Sequence, residues 1–213
     1  LDIYSFGSVE RISPEAPVQI FEIESESKSL GGAGNVLNNL LELTANPTIC
    51  SVVGSDENGK TIKNMIKEKK INTKAIFFTK KTRFSIKNRL ISTDYNHQVL
   101  RIDRETRENI DKNSEKEIIA FLQKNIDKFD AVIISDYLKG LLTDSLLENI
   151  IKISNKKDKK VIVDPKGKNF DKYKNATLLT PNRKEAEIAS GINITDSQSL
   201  KKAGEKQKLQ MKQ

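Results

Sequence analysis

The sequence is short of the features by which several functional classes are recognised. It holds one cysteine, Cys50, so no internal disulfide can form and a reducing compartment is expected. That lone cysteine reads as a small buried apolar residue rather than a nucleophile. No apolar run approaches the roughly 20 residues that span a bilayer, so no membrane partner is expected. Residues 1 to 25 show no basic stretch leading into an apolar core and a small-residue cleavage site. Secretion is therefore not signalled, and a cytoplasmic location is the expectation. No G-x-G-x-x-G follows a strand pattern and no G-x-x-x-x-G-K-[ST] occurs, so any nucleotide must be held by another device. No internal repeat, low-complexity tract or proline-rich linker divides the 213 residues, a length that suits one domain.

What is present is a charged, moderately apolar chain: 36% hydrophobic, 31% charged, net charge +8. The lysines fall in runs such as Lys67-Glu68-Lys69-Lys70 and Lys156-Lys157-Asp158-Lys159-Lys160, which read as solvated helix ends and turns. A basic surface can hold nucleic acid, but the aromatic interleaving and motifs that accompany such binding are missing. Phosphorylated small molecules are the better match to the charge, and no nucleic-acid partner is expected.

Alternation around Val18, Ile20, Phe21 and Ile23 predicts a half-exposed strand. Val36, Leu37, Leu40, Leu41 and Leu43 fill one helix face over residues 33–44, and Thr48 to Val53 returns to strand composition. Asp56 is placed to cap a helix running to about Lys69. Residues 75–103 read as several strands with polar turns. Beyond them the pattern becomes regular: Ile118, Ile119, Leu122 and Ile126 on a helix, an apolar strand from Ala131 to Ile134, and Leu146, Leu147, Ile150 and Ile151 on another helix. Strands follow at Val161 to Val163 and Thr177 to Leu179. Short apolar strands alternating with amphipathic helices predict an α/β core whose mostly parallel sheet is covered on both faces, with a small β lid.

Ligands of open α/β sheets gather at the carboxyl ends of the strands. Three successive strand ends carry polar clusters: Ser135-Asp136-Tyr137-Leu138-Lys139-Gly140, Asp164-Pro165-Lys166-Gly167, and Thr180-Pro181-Asn182-Arg183-Lys184-Glu185. Each offers a carboxylate and a lysine, and the expectation is that they face one cleft. Any one of them reads equally well as a turn or helix cap; the joint occurrence points to a site. Upstream, Leu30-Gly31-Gly32-Ala33-Gly34-Asn35 opens a helix. Glycines there let backbone approach a ligand and leave helix N–H groups free, and the Asn35 amide can both donate and accept. Taken alone, the pair is more often a simple turn.

Together, Gly31-Gly32-Ala33-Gly34-Asn35, the Asn182-x-x-Glu185 element and the lid-like strands resemble the ribokinase-like carbohydrate kinases. The stretch Val9-Glu10-Arg11-Ile12-Ser13-Pro14-Glu15-Ala16-Pro17-Val18, with Gln98-Val99-Leu100-Arg101-Ile102-Asp103, Ser135-Asp136-Tyr137 and Asp164-Pro165-Lys166-Gly167, is similar to the bacterial D-glycero-β-D-manno-heptose-7-phosphate kinases. The similarity runs from residue 1 to about Ile194. It implies a three-layer core with lid segments at about 3–27 and 82–103. It also implies Mg2+ and ATP as cofactors, heptose 7-phosphate as substrate, a role in lipopolysaccharide heptose synthesis, a homodimer through the lid and a downstream adenylyltransferase domain.

Carried over by residue, the resemblance puts Asp2, Gly31, Gly32 and Asn35 near the sugar. Lys139, Lys166, Arg83 and Arg101 are the cations for phosphate groups. Asn182 and Glu185 lie near ATP phosphate, with Glu185 beside magnesium. The resemblance further implies a Gly-Ala-Gly-Asp segment whose aspartate is the base, and no such segment occurs. No catalytic residue is therefore assigned. The expectation is one truncated kinase domain over residues 1–213, lacking the C-terminal part of the fold and inactive by itself. The alternative is a non-catalytic sugar-phosphate binding module of the same fold.

Overall fold

The computed structural model describes residues 1–80 and 85–212, and these divide into two compact units. The first comprises Leu1–Ile49 and Val53–Thr106; the second comprises Cys50–Val52 and Arg107–Gln213.

In the first unit, β1 (Asp2–Ile12) pairs antiparallel with β2 (Gln19–Ser29). It pairs in parallel with β5 (Ser85–Ser92), which pairs antiparallel with β6 (His97–Glu105), giving the order β2-β1-β5-β6. The two stretches expected to form a lid thus lie in one sheet. β2 is longer than the alternation around Ile20 predicts. The regular strand β1 was not visible as a pattern, because its residues are nearly all half-buried on both faces until Glu10. Period-two reasoning needs one wet and one dry face.

The rest of this unit is built on α1 (Ala33–Glu42), the last two residues of β3 (Ser51–Gly54), α2 (Glu57–Glu68) and β4 (Ile76–Thr79), with β3 and β4 paired. Leu30, Leu37, Val53, Ile66, Ile71 and Ile76 make its buried cluster, to which Leu41, Ile49, Ile62 and Met65 are packed. The predicted cap is present: the Asp56 carboxylate accepts the Gly59 N–H at 2.8 Å. Burial pushes the Cys50 thiol up to about 12, in keeping with its reading as an inert apolar residue.

In the second unit, β7 (Ala131–Ser135), β8 (Lys160–Asp164) and β9 (Leu178–Leu179) form a parallel sheet in that order. α3 (Lys112–Asn125) precedes it, α4 (Asp144–Lys156) joins β7 to β8, and α5 (Arg183–Ser190) and α6 (Ser197–Lys212) follow β9. Ile126, expected on α3, begins a 3-10 turn (Ile126–Lys128) yet is fully buried. Leu146, Leu147, Val161 and Val163 are likewise fully buried. Ile133, Ile162 and Leu178 are neighbours on one face of this sheet, where Ile133 is 43% and Leu178 51% exposed.

The buried α4 pair sets a stability expectation. Leu147→Ala removes a fully buried side chain and is expected to cost about 2–5 kcal/mol, since the cavity closes only in part. Urea denaturation reads this directly, and a loss below about 1 kcal/mol is incompatible with the packing described.

Candidate functional site

In the first unit the structure gathers the residues around the glycine turn. Gly32 caps α1 with φ 54° and ψ −126°, a backbone region that glycine reaches and side chains oppose. No side chain caps this helix; the N–H groups of Gly34 and Asn35 donate within the turn, to the carbonyls of Gly31 and Gly32, each at 3.0 Å. Gly31 is required for a different reason. A Cβ there would stand 2.5 Å from Oδ1 of Asp2, so the Asp2 carboxylate lies in the space a side chain would take. Asp2 and the glycine turn are therefore in contact, as a shared ligand site requires. Asn35 lies exposed on the first turn of α1; its N–H donates to the Gly32 carbonyl, and its side-chain amide has no hydrogen-bond partner among the described residues.

The other side of Asp2 meets a residue with no motif to mark it. Arg89 Nη1 lies 3.2 Å from Asp2 Oδ2, both side chains about four-fifths buried, and the guanidinium sits 5.2 Å from the centre of the Tyr4 ring. Arg101 is Arg89's direct neighbour across the β5–β6 ladder, but it is half-exposed and paired with Asp103 at 2.9 Å. Arg83 lies outside the described residues. Sequence reasoning chose Arg83 and Arg101 and missed Arg89. The spacing Lys87-x-Arg89 puts two cations on one face of a strand, but only the register with β1 sets Arg89 beside Asp2.

In the second unit, β7 and β8 end side by side, Ser135 opposite Asp164, and β9, paired with β8, leads to Asn182 at the start of α5. The expectation that all three carboxylates are offered to a ligand fails at Asp136. Its side chain is almost fully buried and accepts from Lys172 Nζ at 2.6 Å, the Tyr173 hydroxyl at 2.6 Å and the Leu138 N–H at 2.8 Å. Tyr173 is itself fully buried, and its oxygen accepts the Lys166 N–H at 3.1 Å. Burial first, and then the bond to Asp136, push the Tyr173 hydroxyl far above its ordinary range, so it remains a neutral donor. Asp136 thus holds the turns after β7 and β8 together. Lys139 lies half-buried on the first of those turns.

Glu185 and Asn182 close a reciprocal cap on α5. The Asn182 side chain accepts the Glu185 N–H at 2.9 Å, and a Glu185 oxygen accepts the Asn182 N–H at 3.0 Å. The other Glu185 oxygen accepts from Lys166 Nζ at 2.7 Å. Burial pushes the Glu185 carboxyl upward, but the bonds from Lys166 and Asn182 outweigh it and hold the group below its ordinary value. The same bond raises Lys166. Asp164 is exposed and unbonded; burial, then the nearby Glu185 charge, push its carboxyl up despite Lys166. The described residues hold no cluster of three or more metal-ligating side chains, and none of their helices is long and apolar enough to cross a membrane. One or two carboxylates beside phosphate oxygens are nonetheless the usual setting for Mg2+, which keeps several waters.

Residues 2–212 match the sequence model described as pfkB family carbohydrate kinase. The chain is 48% identical over 200 residues to the bifunctional protein HldE of Citrifermentans bemidjiense, and 46% identical over 206 residues to that of Geobacter sulfurreducens. These alignments take in 94% and 97% of the chain but 41% and 42% of the relatives, so the chain spans about two-fifths of their length. Among solved structures, Arabidopsis thaliana ribokinase complexed with ribose and ATP is similar with TM-score 0.67 at 15% identity, over 98% of this chain and 65% of that one. The tetrameric inhibited form of Escherichia coli phosphofructokinase-2 gives TM-score 0.66 at 17% identity, over 96% and 65%. At such identities the likeness is one of fold.

The carboxylates of the second unit predict a pH signature with two signs. Glu185, lowered on folding, adds stability that is complete above the ordinary value of 4.5 and fades as pH falls through its folded value. Asp164, raised on folding, weighs against the fold at neutral pH and ceases to do so in acid. Thermal melts from pH 7 to 3 are expected to show Glu185→Gln losing less stability on acidification than the parent. Asp164→Asn is expected to melt higher than the parent at pH 7. A Glu185→Gln profile parallel to the parent's contradicts the assignment.

Proposed function

The chain belongs to the pfkB family of carbohydrate kinases, and on that premise we propose that the protein transfers the γ-phosphoryl of Mg-ATP to the anomeric hydroxyl of D-glycero-β-D-manno-heptose 7-phosphate. The product is the 1,7-bisphosphate, used to make the heptose of lipopolysaccharide. The observation that carries the sugar half of this reading is the Asp2 carboxylate packed on Gly31, next to an uncapped helix start and the free amide of Asn35. A carboxylate and an amide converging on an open backbone suit vicinal hydroxyls, each of which donates and accepts. The choice of heptose 7-phosphate rests on the sequence similarity in residues 9–18 and 98–103.

The nucleotide half is assigned to the strand ends of the second unit. Lys166 and Lys139 supply cations for phosphate oxygens, and Asn182 presents its amide at the start of α5. Glu185, with Asp164 beside it in charge if not in contact, supplies the carboxylate that suits a hydrated magnesium ion. Magnesium, when bound, neutralises charge on the ATP phosphates. Lys166 holds Glu185 ionised and oriented in the meantime. The Gly-Ala-Gly-Asp segment on which transfer depends in this family does not occur in residues 1–213, so this stretch holds substrates and catalysis is assigned to the longer protein. A cytoplasmic homodimer through the lid strands, with an adenylyltransferase domain downstream, accords with the word bifunctional in the relatives' name.

The test is ATP-dependent consumption of heptose 7-phosphate by the full-length protein; turnover of another sugar in its place sinks the substrate assignment. Asn35→Ala is expected to raise KM for the sugar about 10-fold with KM for ATP little changed, the loss of one hydrogen bond. Glu185→Gln is expected to do the reverse, shifting the magnesium requirement upward. Equal effects of both changes on both substrates contradict the division of roles.

A further inference from the structure

Arg89 is unusual as a structural residue. Its Nη1 lies beside the Asp2 carboxylate, yet that atom is shielded from solvent and makes no hydrogen bond. A buried donor without an acceptor costs about 1–3 kcal/mol, and a mostly buried ion pair is weak support for a fold. The charge pattern around it is also unfavourable for the sheet alone. Asp2 and Tyr4 on β1 stand opposite Lys87 and Arg89 on β5, which stand opposite Asp103 and Arg101 on β6. Ladder partners share a face, so three cations meet two carboxylates there. Arg89 and Arg101 are direct partners, an arrangement of like charges that pairing disfavours. Arg101 is relieved by Asp103, whereas half-buried Lys87 has no ion-pair partner among the described residues.

An anion bound at this face offsets its excess of cations. We infer that Arg89, with Lys87 beside it, forms the seat for the phosphate group of a phosphorylated sugar whose hydroxyls lie at Asp2 and the Gly31-Gly32 turn. This rests on the functional reading above and assigns a residue to the part of the substrate that distinguishes a sugar phosphate from a sugar. The geometry is that of a prepared receptor. The Tyr4 ring beneath the guanidinium and the Asp2 carboxylate beside the shielded Nη1 fix the plane of the fork, leaving the rest of a side chain that is 22% exposed for a phosphate oxygen. Asp2 joins the two ends of the ligand, touching Gly31 on one side and Arg89 on the other. Lysine at this position keeps the charge but loses the planar fork.

The experiment uses the full-length enzyme with Arg89→Met and Arg89→Lys. With Arg89→Met, KM for heptose 7-phosphate is expected to rise about 10- to 150-fold, the loss of a charged hydrogen bond, while KM for ATP stays within about twofold. Arg89→Lys is expected to fall between the parent and Met. Affinity for unphosphorylated heptose, measured by calorimetry, is expected to fall much less than affinity for the phosphorylated sugar in both. Equal losses for phosphorylated and unphosphorylated sugar, or no loss for either, overturn the inference. If Arg89→Met does not fold, Arg89→Lys carries the same comparison. A parent enzyme inactive on heptose 7-phosphate sinks the functional reading separately. The anion seat is then judged with inorganic phosphate: a rise in Tm that shrinks in Arg89→Lys supports it, and a rise of unchanged size overturns it.

Discussion

The contact between the Asp2 carboxylate and the α-carbon of Gly31 is the constraint from which the first unit's site follows. It fixes residue 31 as glycine, because any side chain would occupy the position of the carboxylate. It places the start of α1 against the start of β1, two segments 29 residues apart in sequence. And it orients Asp2 so that its other oxygen faces Arg89, which brings β5 into the same small region. One charged group thereby ties a turn, a helix start and two strands together. Removing it leaves a mostly buried guanidinium without a counter-charge and a void above the turn, so the contact serves folding, and in the proposed function it serves sugar recognition as well.

The second unit solves the same problem with a different division of labour. Of the three carboxylates near its strand ends, Asp136 is wholly committed to Lys172, Tyr173 and the Leu138 N–H, and it stabilises the turns on which the others stand. Glu185 is half committed: one oxygen closes the cap of α5 and the other holds a lysine that is half-exposed. Asp164 is uncommitted, and its raised carboxyl records the cost of leaving it so. A gradient from fully satisfied to unsatisfied runs from the buried floor to the surface. Carboxylates already committed to protein partners have little capacity left for a ligand, which is why the proposed ligand contacts fall to the outer members of this set.

How far the sequence revealed this depended on whether a residue's role was written in local pattern. Asp56 was legible because a cap is a four-residue event. β7 and β8 were legible as wholly apolar runs, and the polar clusters at their ends followed from the rule of strand ends. Asn182 and Glu185 were found as a pair, although their spacing alone does not separate a capping box from a ligand site; in the structure they form the box. Arg89 was not legible. Its meaning lies in register, in being level with Tyr4 on one side and Arg101 on the other, and register between β1 and β5 spans more than 80 residues of sequence. Asp136 was misjudged for a related reason: nothing local announces that Lys172 and Tyr173, 36 and 37 residues later, return to cover it.

This difference bears on where specificity resides in a carbohydrate kinase of this kind. The glycine turn and the Asn182-x-x-Glu185 cap are local devices, and local devices are easily shared among proteins that handle different sugars. A charge seat assembled from three strands is not local. It can be retuned by changing one side chain on β5 or β6, and Asp2 couples that change to the turn through its contacts with Arg89 and Gly31. Strand-borne groups are also held more rigidly than loop-borne ones, which suits recognition of a group such as phosphate whose position relative to the ring is fixed by the substrate. The exposed pair Arg101–Asp103 shows the complementary case: half in water, it contributes little by itself and gains importance only beside an anion that partly excludes that water.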